Sequence, residues 1–197
     1  GISAVIVPDD TPGLSFGAPE DKMGWRAQPT AQVQFDDCDI PADHLLGEEG
    51  RGFSYAMAGL DGGRLNISAA ALGGAQAALD ASVAYMGERR AFGQSLDQFQ
   101  ALQFRLAEMA TQLEVSREFT YRQAAQMAAG RSVIKEISMA KNFATDVADR
   151  ITYDAVQILG GMGYMRETPV ERMSRDARVQ AIGGGAKLLR QAAENTM

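Results

Sequence analysis

Gln157-Ile-Leu-Gly-Gly-Met-Gly-Tyr164 decides how this chain is read. The stretch closes a run in which Ile137, Ala140, Ala144, Val147, Ile151, Ala155 and Ile158 recur at three- and four-residue steps, the stripe of an amphipathic helix. After the single Gln157 come Gly160, Gly161 and Gly163. Glycines at a helix end let backbone approach something flat or charged. The stretch therefore predicts a helix terminus beside a ligand.

Working outward, the same helical spacing recurs. Leu65, Leu72, Leu79, Val83 and Met86 predict a helix from about residue 52 that ends between Gly87 and Gly93. Leu102, Leu106, Met109 and Leu113 predict a second, from about 96 to 129, ended by Gly130. The opening stripe belongs to a third, 133–159. A shorter helix starts at Pro169, a good first-turn residue, and runs to about Ala181. Gly183-Gly184-Gly185 interrupts it, and a last helical piece begins near Lys187. Long helices with short connections predict an up-and-down four-helix bundle over residues 51–197. Residues 1–50 read as β and loop. Ile2–Val7 is a short strand-like run, Thr11-Pro12-Gly13 is turn chemistry, and Val33-Gln34-Phe35 alternates. So few strands do not make an independent sheet. The fold class is mainly α, with a partial β domain in front that reads as the tail of a larger one.

Hydrophobic residues make up 46% of 197 residues, enough for a sizeable core. A net charge of −6 argues against a nucleic-acid surface or a polybasic membrane patch. No apolar run is long enough to span a bilayer. The single cysteine, Cys38, and single histidine, His44, exclude an internal disulfide, cysteine-cluster metal sites and multi-histidine metal sites. No metal is expected. Cys38 reads as a small buried hydrophobe and His44 as a surface loop residue.

Several short motifs carry two readings each. In Arg89-Arg90-Ala91-Phe92-Gly93 the arginines suit a helix C-terminus and Gly93 suits a cap. Alternatively, an arginine meets a phosphate and Phe92 stacks on a ring. Phe99 is core or a ring contact, and Gln100 caps a helix or hydrogen-bonds a heterocycle. Gly62 and Gly63 each cost a helix about 1 kcal/mol against alanine. Close approach of a helix or a ligand explains them, with Asp61 and Arg64 flanking; an Asp61–Arg64 pair is the plainer alternative. The glycine triplet 183–185 is a hinge or a phosphate cradle.

As a set, these residues resemble the acyl-CoA dehydrogenase family. The matches are Lys22-Met-Gly-Trp25 with Gln28-Pro29-Thr30, Phe35 to Cys38 running into Pro41, and Leu46-Gly-Glu-Glu-Gly50 with Gly52-Phe53. They continue through Gly59-Leu-Asp-Gly-Gly-Arg64, Arg89 to Gly93, Phe99-Gln100, Gln157 to Tyr164, Val170-Glu171 and Arg175-Asp176. The Gly59–Arg64 version is most similar to short branched-chain, isobutyryl-type members.

The resemblance implies an FAD enzyme that desaturates a short or branched acyl-CoA between its α and β carbons, in fatty-acid or branched-chain amino-acid catabolism. It implies a homo-oligomer, a tetramer, or a complementary chain, and an electron-transferring flavoprotein as redox partner. The compartment would be bacterial cytoplasm or mitochondrial matrix. Arg89, Phe92, Gln157 and Gly161 (with Gly160 beside it) match residues that reach the FAD of a neighbouring subunit. Phe99 and Gln100 match a further flavin-contacting pair. Asp61 and Arg64 match the acyl-CoA site, as does Gly184 through its backbone. Family members are longer, so the chain is expected to be an incomplete enzyme or one piece of a split one.

One departure stands out. The family's base is a glutamate, and its two known positions fall on Gly184 and Gly63. The catalytic residue is therefore unassigned, with Asp61 the nearest carboxylate along the chain. The following family positions, usually Thr and then Asn or Gln, fall on Ala186 and Leu188. The competing expectation is a non-catalytic subunit that completes a flavin and acyl-CoA site.

Overall fold

A computed structural model describes residues 1–185 of the chain. The expected helical piece near Lys187, and Ala186 and Leu188, lie outside the described residues. The chain divides into two compact units, Gly1–Gly62 and a second that starts at Gly63.

In the first unit, β1 (Leu14–Phe16) and β2 (Val33–Phe35) pair antiparallel, with Leu14 opposite Phe35 and Phe16 opposite Val33. Residues 2–6 run beside 44–52 through separate contacts. Ile2 bridges Arg51, Val5 bridges Leu45, and the Ile6 amide donates to the His44 carbonyl at 3.0 Å. The strand expected at Ile2–Val7 is thus reduced to isolated bridges. Ile2, Val5 and Ile6 all stay exposed, so no buried face fixes a continuous register. His44 is half-buried in a 3-10 turn (Ala42–His44), its Nδ1 3.2 Å from the Ile6 carbonyl, rather than in open loop. Cys38 is only half-buried.

Helix α1 runs over Gly52–Glu88, α2 over Gln100–Ala128 and α3 over Ile134–Leu159. The single turn α4 (Gly161–Tyr164) then leads to α5, Pro169–Ile182. Between α1 and α2 lies a hairpin, β3 (Arg90–Ala91) against β4 (Gln94–Ser95), then a 3-10 turn at Leu96–Gln98. In the second unit the core is built from Ala71, Leu72, Ala75, Ala78, Leu79 and Met86 of α1 and Met109 and Leu113 of α2. Ala144, Val147, Ala148, Ile151, Ala155, Ile158 and Leu159 of α3, with Val170 of α5, complete it. The many alanines of this core are small enough to let helix axes approach closely.

The third stripe is buried as expected, from Ile137 to Ile158. On α1 one member fails: Val83 is 53% exposed while Ser82 is fully buried. At 100° per residue, Val83 lies about 75° from the middle of the buried face and Ser82 about 25°. Ser82 can sit there because its hydroxyl donates to the Ala78 carbonyl at 2.8 Å. Five buried hydroxyls among the described residues bond in this way to the carbonyl four residues back, those of Ser68, Ser82, Ser138, Thr145 and Thr152. Arg105 on α2 and Asp154 on α3 form an ion pair at 2.5 Å, with Asp154 buried. Arg178 on α5 pairs with Asp149 on α3.

No helix among the described residues is long and apolar enough to cross a membrane.

Candidate functional site

The end of α3 is where the opening stretch does its structural work. Helix α3 stops at Leu159 because Gly160 takes φ +59 and ψ −132, a conformation that side chains disfavour. The Gly160 amide donates to the Gln157 carbonyl at 3.2 Å, so the chain turns at once into α4. Gly163 is needed for a second reason: a Cβ there would lie 2.4 Å from the Val156 carbonyl oxygen. An added Cβ at Gly161 meets nothing within 4 Å.

This turn faces the end of α1. Gly160, Gly161, Ile158, Leu159 and Met162 line a cleft of about 440 Å³ together with Tyr85, Arg89 and Leu96. Arg89 is held by its main chain on both sides. Its amide donates to the Tyr85 carbonyl at 2.9 Å, and its carbonyl accepts from Leu96 at 2.9 Å. Arg89 is exposed and lines a cleft to which Gly160 and Gly161 also contribute. Such a combination suits a phosphate or a planar ring system. The Gly161 side of the cleft is open, with room where a side chain would stand.

Phe92 and Gly93 form the two-residue turn between β3 and β4, with φ of +50 and +87. Both values are positive, as a tight hairpin with right-twisting strands requires. Gly93 is therefore a hairpin residue, and the expected role as helix cap does not hold, since α1 has ended at Glu88. Phenylalanine is an unusual occupant of such a position. Phe92 is 96% exposed, its ring meeting Phe99 edge to face with centroids 6.4 Å apart. Phe99 is half-buried at the start of α2, and Gln100, the first residue of α2, is exposed. Below the hairpin, the Ser95 hydroxyl and then the Gln98 amide hold Asp97's carboxyl below its ordinary value. Gln157 is exposed on the last turn of α3, outside the cleft lining.

A second meeting point joins Arg64 and Gly184. Arg64 Nε donates to the Gly184 carbonyl at 3.2 Å. Gly184 has φ +69, and a Cβ there would stand 3.6 Å from Arg64 Cγ, an ordinary contact. Cβ atoms built on Gly62 and Gly63 meet nothing within 4 Å. The expectation that a helix of this chain approaches them closely is not met among the described residues. The cleft at Arg89 and the Arg64–Gly184 contact share no residue. Asp61 is half-buried on α1.

Sequence reasoning missed Tyr85, Leu96 and Lys141. Lys141 is fully buried, with Nζ donating to the carbonyls of Ala181 at 3.0 Å and Gly185 at 3.2 Å. A signal existed. Lys141 is four residues after Ile137 and three before Ala144, so it lies on the apolar face. On α5, Arg175 forks onto Glu171 at 2.8 and 3.0 Å, beside a cleft of about 370 Å³ lined also by Tyr164, Arg166 and Ser174. The Arg175 hydrogen bond holds Glu171's carboxyl below its ordinary value. Among the described residues, no group of histidine, cysteine and carboxylates could hold a metal ion.

A helical bundle with a cleft where α1 and α3 end is the architecture of the acyl-CoA dehydrogenase C-terminal domain. The family model of the acyl-CoA dehydrogenase C-terminal domain matches residues 50–191, and the chain belongs to this family. It is 48% identical over 187 residues to the mitochondrial isobutyryl-CoA dehydrogenase of Dictyostelium discoideum, covering 94% of this chain and 45% of that protein. It is 52% identical over 185 residues to the mitochondrial short-chain specific acyl-CoA dehydrogenase of Bos taurus, with the same two shares. Its structure is similar to that of butyryl-CoA dehydrogenase from Megasphaera elsdenii, with a TM-score of 0.95 and 43% identity over all of this chain and 51% of that one. The chain thus spans about half the length of the relatives it matches.

Proposed function

We propose that this chain contributes FAD-binding and acyl-CoA-binding surfaces to an acyl-CoA dehydrogenase acting on a short or branched thioester, and that it lacks the usual catalytic glutamate. The observation that carries the reading is the cleft that sets Arg89 opposite Gly160 and Gly161. The match to the family model from residue 50 supports the division into the end of a β domain, 1–50, and a helical domain, 51–197.

In this reading Arg89, Phe92, Phe99, Gln100, Gln157, Gly160 and Gly161 hold FAD between subunits of a homo-oligomer. When bound, FAD supplies the redox chemistry, acceptance of a hydride from the substrate's β carbon. The remaining work falls to the protein. The thioester oxygen must receive hydrogen bonds as enolate-like charge builds on it, and the Gly184 backbone N–H supplies one. The α proton must go to a base. Neither Gly184 nor Gly63 offers a carboxylate. Asp61 and Arg64 face the CoA part of the substrate. In this reading an electron-transferring flavoprotein would be the redox partner.

The second reading, a non-catalytic subunit that completes a flavin and acyl-CoA site, is favoured by the same two glycines. One spectrum separates them from a pure scaffold. Absorbance is recorded as purified, then after excess isobutyryl-CoA without oxygen. A flavin band that persists is expected. A band that bleaches would show an active site and overturn the missing-base reading, and a chain unable to retain added flavin would sink the FAD-binding reading.

A further inference from the structure

Lys141 lies in α3 with its side chain fully buried. Lysine is almost never buried unless its ammonium is hydrogen-bonded or paired, because desolvating the charge is costly. Its Nζ donates to two carbonyls, those of Ala181 and Gly185, at 3.0 and 3.2 Å. Ala181 belongs to the last turn of α5, where carbonyls lack helical partners and the macrodipole is negative. A capping role would need that contact alone. Gly185 is different: it lies beyond the helix, in the segment that carries Gly184.

Arg64 reaches the same segment from α1 through the Gly184 carbonyl at 3.2 Å. Cations from two helices therefore engage carbonyls at 181, 184 and 185. Gly184 and Gly185 have φ of +69 and +105. Glycines visit many conformations at similar cost, so something outside the segment must select these. The two cations do so.

We propose that Lys141 is a positioning residue for acyl-thioester recognition. By gripping the carbonyls on either side of Gly183-Gly184, it sets the peptide that presents the Gly184 N–H. It acts through the backbone and rests on the reading of Gly184 as part of the acyl-CoA site.

The test compares Lys141→Met and Lys141→Arg with the native chain by two readouts. One is hydrogen exchange of peptides covering residues 179–185. The other is calorimetric affinity for the 3-thia analogue of butyryl-CoA, which keeps the thioester carbonyl but carries a thioether sulfur in place of the β carbon and so cannot be oxidised. Lys141→Met is expected to speed exchange at Gly184 and Gly185 about tenfold and to weaken thioether binding about tenfold. Exchange in the second half of α3 should stay as in the native chain, and Lys141→Arg should restore part of both losses. Should the methionine variant not fold, Lys141→Gln, which keeps a buried donor, supplies the same comparison. Unchanged exchange at 184–185 overturns the role of Lys141 and leaves the acyl-CoA reading standing. Faster exchange with full affinity reduces Lys141 to a structural contact. A native chain that does not bind the thioether overturns the acyl-CoA reading itself.

Discussion

Arg64 and Gly184 stand 120 residues apart in the chain and 3.2 Å apart in space, Nε of one donating to the carbonyl of the other. Arg64→Gln should weaken acyl-CoA thioether binding about tenfold, while the lost charge-assisted hydrogen bond costs about 1.5–3 kcal/mol of stability. Arg64→Lys should not restore binding fully, because the planar guanidinium is replaced by a point charge. Calorimetry with the thioether and urea denaturation measure the two effects. Full affinity in both variants would separate this contact from substrate recognition.

Gly184 also offers a gain-of-function experiment. A Cβ at this position has room beside Arg64 Cγ, so the obstacle to a side chain is the positive φ. That strain is worth about 1–2 kcal/mol. Gly184→Glu should lower stability by that amount and raise deuterium exchange at the α carbon of a bound acyl-CoA, followed by NMR in heavy water. If exchange stays at the native level, the missing carboxylate is not what limits this chain.

Gly161 and Gly163 should respond in opposite ways to alanine. Gly163→Ala drives a methyl to 2.4 Å from the Val156 carbonyl, and should cost about 1–3 kcal/mol as backbone shifts to accommodate it. Gly161→Ala meets no neighbour and removes a helical glycine, so it should be neutral or stabilising by up to about 1 kcal/mol. If the cleft takes flavin, Gly161→Ala should nonetheless retain less of it. Thermal melts and flavin content read both quantities.

Phe92 tests whether a strained ring is kept for something outside the fold. Phe92→Asn suits the left-handed turn better but gives up the edge contact with Phe99. The gain of about 1 kcal/mol and the loss of about 0.5–1.5 kcal/mol nearly cancel. Stability should therefore stay close to native while flavin retention falls. A large loss of stability would instead make Phe92 a fold residue.

Glu171 predicts a pH dependence. Its folded value lies below the ordinary 4.5, first because Arg175 hydrogen-bonds the ionised form. The stabilisation is therefore present above that value and is lost as pH falls from 4.5 through the lowered one. Glu171→Gln should flatten the stability curve in that window, seen as denaturation midpoints at pH about 6 and about 3.5. Equal slopes in native and variant proteins would discount the pair.

The helices were legible because local signals and tertiary burial agree along them. The stripe from Ile137 to Ile158 is buried throughout, and Pro169 opens α5 as its fixed φ requires. Where the two disagree, sequence misleads. Val83 is apolar but stands off the buried face, and Ser82 is polar but bonds its own helix. The Phe92-Gly93 turn was hidden because phenylalanine is not a residue of tight hairpins. The partners of Lys141 were hidden because Ala181 and Gly185 are forty or more positions away and engage it only through main-chain carbonyls. Arg89, Gly160 and Gly161 could be picked out singly; that one cleft unites them depends on where α1 and α3 end.

The inward hydroxyls of Ser68, Ser82, Ser138, Thr145 and Thr152 each return their proton to a carbonyl of their own helix. Such bonds carry no information about which helix lies opposite. A protein engineer could replace all five by small apolar residues and keep the bundle's register. The specificity of helix pairing must then reside in charged links such as Arg105–Asp154 and in the packing of the apolar core side chains.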